Sequence, residues 1–142
     1  MAYQAFSEEW AKAYKEQINA NANYREASRT WEWPLAFVLE ADPSLGIEEE
    51  RAIILDLYQG ECRDARIGGK EDLENVPYVI SADAYTWKQV MDGQLDPLAA
   101  MMRGKLKILK GDMGVLSGYV IAAKELVTSA QQVETEFPEG VA

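Results

Sequence analysis

A chain of 142 residues suffices for one buried core and falls short of two, and 48% hydrophobic with 27% charged residues excludes a disordered chain. Its 24 acidic against 14 basic residues, a formal net charge of -10, argue against extended contact with nucleic acid or an anionic membrane, both of which bind through clustered Lys and Arg. The absence of histidine removes Ser-His and Cys-His nucleophiles, His-ligated zinc and the side chain best suited to proton transfer at neutral pH.

Ser7 precedes Glu8 and Glu9, a helix start with acids against the positive helix end, and Phe6, Trp10, Tyr14 and Ile18 recur every four residues as one buried stripe. Asn23 with Glu26 has capping-box spacing and predicts a second short helix ending near Trp31. In "PLAFVLEA", Leu35, Phe37 and Leu39 alternate as in a half-buried strand; after "DPSLG" the run "RAIILDLY" places Ile53, Leu55 and Leu57 on one face. Gln59-Gly60 predicts a hairpin into "ECRDARIG", whose charges on both faces suit an edge strand. "YVISA" at 78–82 is a fourth strand. Asp83 then caps a helix carrying Tyr85, Trp87, Val90 and Met91, which Asp92-Gly93 stops. Asp96-Pro97 starts another, ended by Gly104. "GKLKILKGD" is the fifth strand, with Leu106 and Ile108 opposite Lys105 and Lys107. Asp112 opens what reads as the longest helix, apolar along Met113, Leu116, Val120, Ala123, Val127 and Ala130. The order predicts an α+β domain with a five-stranded, mainly antiparallel sheet.

Residues 1–142 read as one domain without linker or repeat, with helices in 1–31 and a tail in 132–142. The start "MAYQAFSEEW" lacks the basic start and apolar run of a signal peptide, and "GVLSGYVIAA" is too short to span a bilayer, so a cytoplasmic protein without stable membrane insertion is expected. Cys62 cannot form an internal disulfide and reads as a small buried apolar residue. The acidic runs "EEE" at 48–50 and "KEDLE" at 70–74 sit beside turns as solvated faces, and Gly68-Gly69-Lys70 lacks the spacing of a phosphate loop. No catalytic residue, metal or cofactor is expected.

Met91, Met101, Met102 and Met113 all fall within the stretch that includes the fifth strand, and methionine is over-used where a surface adapts to varied apolar ligands. Gly114 and Gly118 cost the last helix about 1 kcal/mol each relative to alanine, so either the helix approaches the sheet closely or room is left for a ligand. Trp10, Trp31, Trp33 and Trp87 read as core and rim.

The segment "DGQLDPLAAMMRGKLKILKGDMGVL" resembles the sterol carrier protein, or non-specific lipid-transfer, family. The matching residues are Gly93, Asp96, Pro97, Ala99 through Met102, Gly104 through Ile108, Gly111 and Asp112. The resemblance implies helices over one face of the sheet, enclosing an apolar tunnel that holds fatty acids, fatty acyl-CoA, phospholipids or sterols without covalent chemistry. Met101, Met102, Leu106, Ile108, Met113 and Leu116 then become candidate ligand neighbours, with Trp87, Met91, Leu98 and Val120 alongside them. Lys110 and Arg103, at the ends of the fifth strand, are placed to meet an anionic head group at a tunnel mouth. The segment before the family's usual start could close or fill the tunnel through Trp10 and Tyr14. A lipid or other apolar small molecule is the expected partner, nucleic acid is not, and a monomer or weak dimer is expected. Two rivals remain: an enzyme acting on acyl thioesters with Asp64 or Asp112 as base, and an interaction module with a filled core.

Overall fold

The computed structural model describes residues 2–138 and 140–141. Along the chain run β1 (Tyr3–Gln4), α1 (Glu8–Ala20), α2 (Ala22–Ala27), β2 (Leu35–Leu39), a 3-10 turn at Pro43–Leu45, β3 (Arg51–Tyr58), β4 (Glu61–Gly68), α3 (Lys70–Asn75), β5 (Tyr78–Ala82), α4 (Ala84–Met91), α5 (Pro97–Met102), β6 (Lys107–Lys110), α6 (Met113–Ser117), α7 (Val120–Gln131) and β7 (Thr135–Glu136). The predicted fold class holds: among the described residues the main sheet has five strands in the order β4-β3-β2-β5-β6, antiparallel except for the parallel pair β2–β5.

Local chemistry accounts for most element ends. Ser7 Oγ accepts the Trp10 amide at 3.2 Å, and Asp83, Asp96 and Asp112 accept the amides of Thr86, Ala99 and Gly114 at 2.8, 3.1 and 2.8 Å. Gln59 (φ 48°) and Gly60 (φ 90°) are both left-handed, the two-residue turn whose twist matches a hairpin. At position 60 a Cβ would lie 2.7 Å from the Arg25 carbonyl oxygen, so glycine is required by space as well as by φ.

Three expectations are corrected. The second helix begins at Asn21, not Asn23: the Asn21 side-chain oxygen accepts the Tyr24 amide at 2.9 Å, while its side-chain nitrogen donates to Ser129 Oγ at 3.0 Å and Glu125 Oε1 at 3.1 Å. Asn21 therefore both caps α2 and ties the α1–α2 corner to α7, which a capping-box pattern cannot reveal. The single long helix from Asp112 is split into α6 and α7. The Gly118 and Tyr119 amides bond three residues back, to Val115 and Leu116, so the chain tightens and turns where a glycine has lowered its helical preference. Finally, β2 is buried on both faces, because Ala36 and Val38 join Ala52, Ile54, Val76 and Val79 in a small second core, against which Leu73 of α3 packs.

The larger core lies between the other face of the sheet and the remaining helices. Ile53, Leu55 and Leu57 face it from β3, Trp10, Tyr14 and Ile18 from α1, and Ala122, Leu126 and Ala130 from α7. Tyr14 donates its hydroxyl to the Leu126 carbonyl at 2.9 Å, fixing α1 against α7. The chain ends close together: β1 and β7 pair in parallel, and Trp10 Nε1 donates to Thr135 Oγ1 at 2.8 Å. Strand β4 lies at the sheet edge, as its charges predicted; there Arg66 binds Asp72 at 2.7 Å and holds that carboxyl down near pKa 2.

Candidate functional site

The larger core is not filled. A cavity with about 1200 Å³ of empty space, its open mouth included, runs between the helices and the sheet. Phe6, Trp10, Tyr14, Tyr24 and Trp31 wall it from the N-terminal segment, Leu35, Phe37, Leu57 and Ile80 from the sheet, and Trp87, Val90 and Met91 from α4. Pro97, Leu98 and Met101 of α5, Leu106, α6 and α7 complete the wall. The sequence pattern explains the hollow: α5 and α6 are single short helices rich in Ala, Met and Gly, so they roof the sheet without enough side-chain volume to pack down onto it. Met113, Ser117 and Lys124 both line the cavity and are exposed, which puts the mouth at α6 and the first turns of α7.

Polar groups in the wall are already committed to the protein. The indoles of Trp31 and Trp87 donate to the carbonyls of Trp33 and Val38 at 2.6 and 2.9 Å, and Ser28 and Ser117 donate to those of Tyr24 and Gly114 at 2.7 and 2.9 Å. Tyr119 shares a hydrogen bond with Thr30 at 2.8 Å and rests edge-on against Trp31, centroids 4.9 Å apart. Every buried side-chain nitrogen or oxygen among the described residues has a partner. Burial pushes the Tyr14 hydroxyl well up and that of Tyr24 up to about 12, so neither is a proton donor or base of ordinary strength near neutral pH. What remains is an apolar container.

Among the described residues one charged side chain lines it, Lys124 of α7, whose Nζ stands 3.9 Å from Asp96 Oδ1. Asp96 is the cap of α5, so this pair spans the mouth from one helix to another.

Of the residues named from sequence, Trp87, Met91, Leu98, Met101, Leu106, Met113, Leu116 and Val120 line the cavity, while Met102, Ile108 and Lys110 do not. Met102 is exposed on the outer side of α5. For Lys110 the cause is a bulge in β6, which sets Lys110 opposite Val79 but Ile108 opposite Ile80; Ile108 keeps the cavity's face of the sheet, on the edge strand and outside the wall. Lys110 thereby reaches the far face of the sheet, where its Nζ donates to the carbonyls of Leu73 and Glu74 at 3.2 and 2.8 Å, at the end of α3. It cannot meet a head group at the mouth, and Arg103 is likewise absent from the wall. Lys124 was missed, although it is the one basic residue after Lys110 and interrupts an otherwise apolar helix face. Trp10 and Tyr14 form the wall and leave the space open. The carboxylates weighed as bases lie elsewhere: Asp112 caps α6, and Asp64 is exposed on β4, 3.8 Å from Arg66. Cys62 is buried beneath α1, its amide bonded to Asn19, and burial pushes its thiol up to about 12, which suits a packing role.

A five-stranded sheet with an apolar hollow between one of its faces and most of the helices, only α3 lying on the other, is the sterol-carrier fold. The chain belongs to the SCP-2 sterol transfer family, whose model matches residues 11–120. It is similar to a crystal structure of sterol carrier protein 2, with 41% identity over 92% of this chain and 99% of that one and a TM-score of 0.85. It is also similar to a conserved hypothetical protein of Thermus thermophilus, described as possibly sterol carrier protein, at 39% identity over 96% of this chain and 94% of that one, TM-score 0.83. The sterol carrier protein domain 2 of Helicoverpa armigera, 17% identical over 92% of this chain and 94% of that one, shares the fold at a TM-score of 0.57. No curated protein matches the chain.

Proposed function

We propose that the protein binds a lipid in this cavity and carries it without covalent chemistry, with the acyl chain or ring system inside and the polar head at the mouth. The observation that supports this most directly is the wall itself: large, apolar, and with its polar atoms satisfied by the protein. Burial of an apolar chain in such a wall contributes about 0.8 kcal/mol per methylene, so ten methylenes favour binding by about 8 kcal/mol before ordering costs, on the micromolar scale. Fatty acid, fatty acyl-CoA, phospholipid and sterol-like molecules all meet this requirement. The reading of the protein as a carrier, and of Trp87, Met91, Leu98, Met101, Leu106, Met113, Leu116 and Val120 as its ligand contacts, follows from their place in the wall. Lys124 takes the head-group role that sequence assigned to Lys110.

Native mass spectrometry of freshly purified protein, followed by solvent extraction, tests this. Extra mass on the 15.9 kDa chain that extracts as lipid is the expected result. A bare chain that also takes up no offered fatty acid, acyl-CoA or sterol refutes it, and turnover of acyl-CoA would replace it with a catalytic reading.

A further inference from the structure

Among the described residues Phe6 is the one large apolar side chain carried on a left-handed backbone, at φ 59°. The chain turns there from β1 into α1. The Ser7 amide donates to the Gln4 carbonyl at 3.1 Å, which makes Phe6 the third residue of a four-residue turn, where positive φ ordinarily calls for glycine or asparagine. A bulky side chain in that conformation is strained, and such strain persists only where the surroundings over-determine it. Here they do: the Ala5 amide donates to the Glu136 carbonyl at 2.9 Å, Arg51 Nη1 donates to the Ala5 carbonyl at 3.1 Å, and the Tyr3 amide donates to the Glu134 carbonyl at 2.8 Å. Glycine at position 6 would relieve the backbone, so the ring is what the strain maintains.

That ring stands at one end of the cavity. It stacks on Trp10, centroids 5.1 Å apart and planes within 7°, and meets Trp87 at 5.5 Å; Trp87 in turn rests edge-on against Phe37 at 5.4 Å. An apolar residue ahead of a helix cap often packs on the helix's first turn, which accounts for the contact with Trp10 but not for the one with Trp87 of α4. The end these rings close is remote from the mouth. Trp10 Nε1 binds Thr135, beyond the last turn of α7, and Gln131 Nε2 of that turn donates to the Val90 carbonyl of α4 at 3.4 Å. Exposure runs the same way: Phe6, Trp10 and Trp87 are at most 4% exposed, whereas Leu98, Leu116 and Val120 of the wall are partly exposed and Lys124 is open to solvent. Between the two ends the wall follows α7 from Val120 to Ala130, about 15 Å of helix.

We propose that Phe6 is the stop against which the tail of a bound chain ends, and that it thereby sets the length of lipid the protein prefers. The proposal rests on the carrier reading and adds a rule of selection to it: the preferred class is single-chain anionic lipids that reach from Lys124 at the mouth to the Phe6 ring and no farther. Each methylene buried on the way multiplies affinity about fourfold. Past the ring a further methylene gains nothing, because the closed end is already packed and the tail must fold back or push the head group out of the mouth. The strained turn gives the stop its rigidity. Bonded to the β7 segment and to Arg51, its backbone does not withdraw to let a longer tail pass.

Titration of the intact protein with the saturated fatty acids from decanoate to docosanoate, read by displacement of a fluorescent fatty acid, tests the proposal. Wild-type affinity is expected to rise with length to a best acid and then to level or fall. Phe6→Leu, a shorter side chain that stays apolar, should move the best acid about two carbons longer, and Phe6→Ala about four, as the tail takes the vacated space. Because Phe6→Ala also loses stability, Phe6→Leu carries the test where the alanine variant fails to fold. Weakening of Phe6→Leu by the same factor at every length, as loss of packing alone would give, overturns the stop, and so does a wild-type affinity that climbs through docosanoate without a break. Wild type that binds no acid of any length removes the carrier reading and the stop with it, whereas normal binding by wild type with the same best acid in both variants removes the stop alone.

Discussion

If Lys124 receives an anionic head group, then Asp96 is its competitor, and the two can be separated by paired substitutions. Their charges stand 3.9 Å apart and both side chains are about half exposed. Unit charges at that distance interact by about 1 kcal/mol in bulk water and about 4 kcal/mol in a surface environment of lower permittivity; half exposure puts this pair near the lower figure. Lys124→Gln should therefore weaken binding of a fatty acid by about fivefold, and Asp96→Asn, which removes the resident anion but can still cap the Ala99 amide, should strengthen it by a similar factor. Binding of the fatty alcohol of equal chain length should change in neither variant. Because Asp96 competes with the ligand for the lysine, its effect should shrink when Lys124→Gln is already present, to what direct repulsion of the anion leaves, a coupling that independent sites would not show. Titration followed by tryptophan fluorescence serves as the assay, since Trp31 and Trp87 lie in the wall. A shift of acid and alcohol by the same factor, or an Asp96→Asn effect undiminished without Lys124, would refute the assignment.

Stability should fall at alkaline pH. The thiol of Cys62 and the hydroxyl of Tyr24 both rise to about 12 on burial, so each holds its proton more tightly folded than unfolded. Their contribution is complete below the unfolded values near 9 and 10 and is lost as pH climbs through 12, at about 1.4 kcal/mol per pH unit for each group once the unfolded form ionises. Urea unfolding midpoints measured from pH 7 to 11 should be flat up to about 9 and decline beyond it; a flat profile to pH 11 contradicts the burial argument. Phe6 is buried, stacks on Trp10 at 5.1 Å and lies 5.5 Å from Trp87, so Phe6→Ala should cost about 3–5 kcal/mol and lower Tm by roughly 10 °C. A loss below about 1 kcal/mol would mean that the aromatic stack contributes little to holding the wall.

Features set by near neighbours in the chain were legible from sequence. The caps at Ser7, Asp83, Asp96 and Asp112, the Gln59-Gly60 turn and the stripe of Trp10, Tyr14 and Ile18 each depend on spacings of two to four residues, and each forms as read. What failed depends on partners distant in sequence. Asn21 and Asn23 both suit a helix start, and the choice falls to Asn21 because Glu125 and Ser129 of α7 hold its amide. The bulge that carries Lys110 away from the cavity is a property of the pairing between β5 and β6, invisible in either strand alone. Simple alternation therefore described the faces of Leu106, Lys107 and Ile108 correctly and misplaced Lys110. Lys124 carries no signal in the sequence that places it at the mouth, and only the closeness of α5 turns it into the charge there.

A wall whose hydrogen bonds are all internal has a chemical preference as well as a shape. An oxygen placed midway along a bound chain, as a hydroxyl or ketone, would give up its water and find the indoles of Trp31 and Trp87 and the hydroxyl of Tyr14 already donating to protein carbonyls. An unmet polar group of this kind costs about 1–3 kcal/mol. If the cavity carries lipids as proposed, such a container should discriminate against oxidation, holding an oxygenated chain about tenfold less well than its saturated or unsaturated parent.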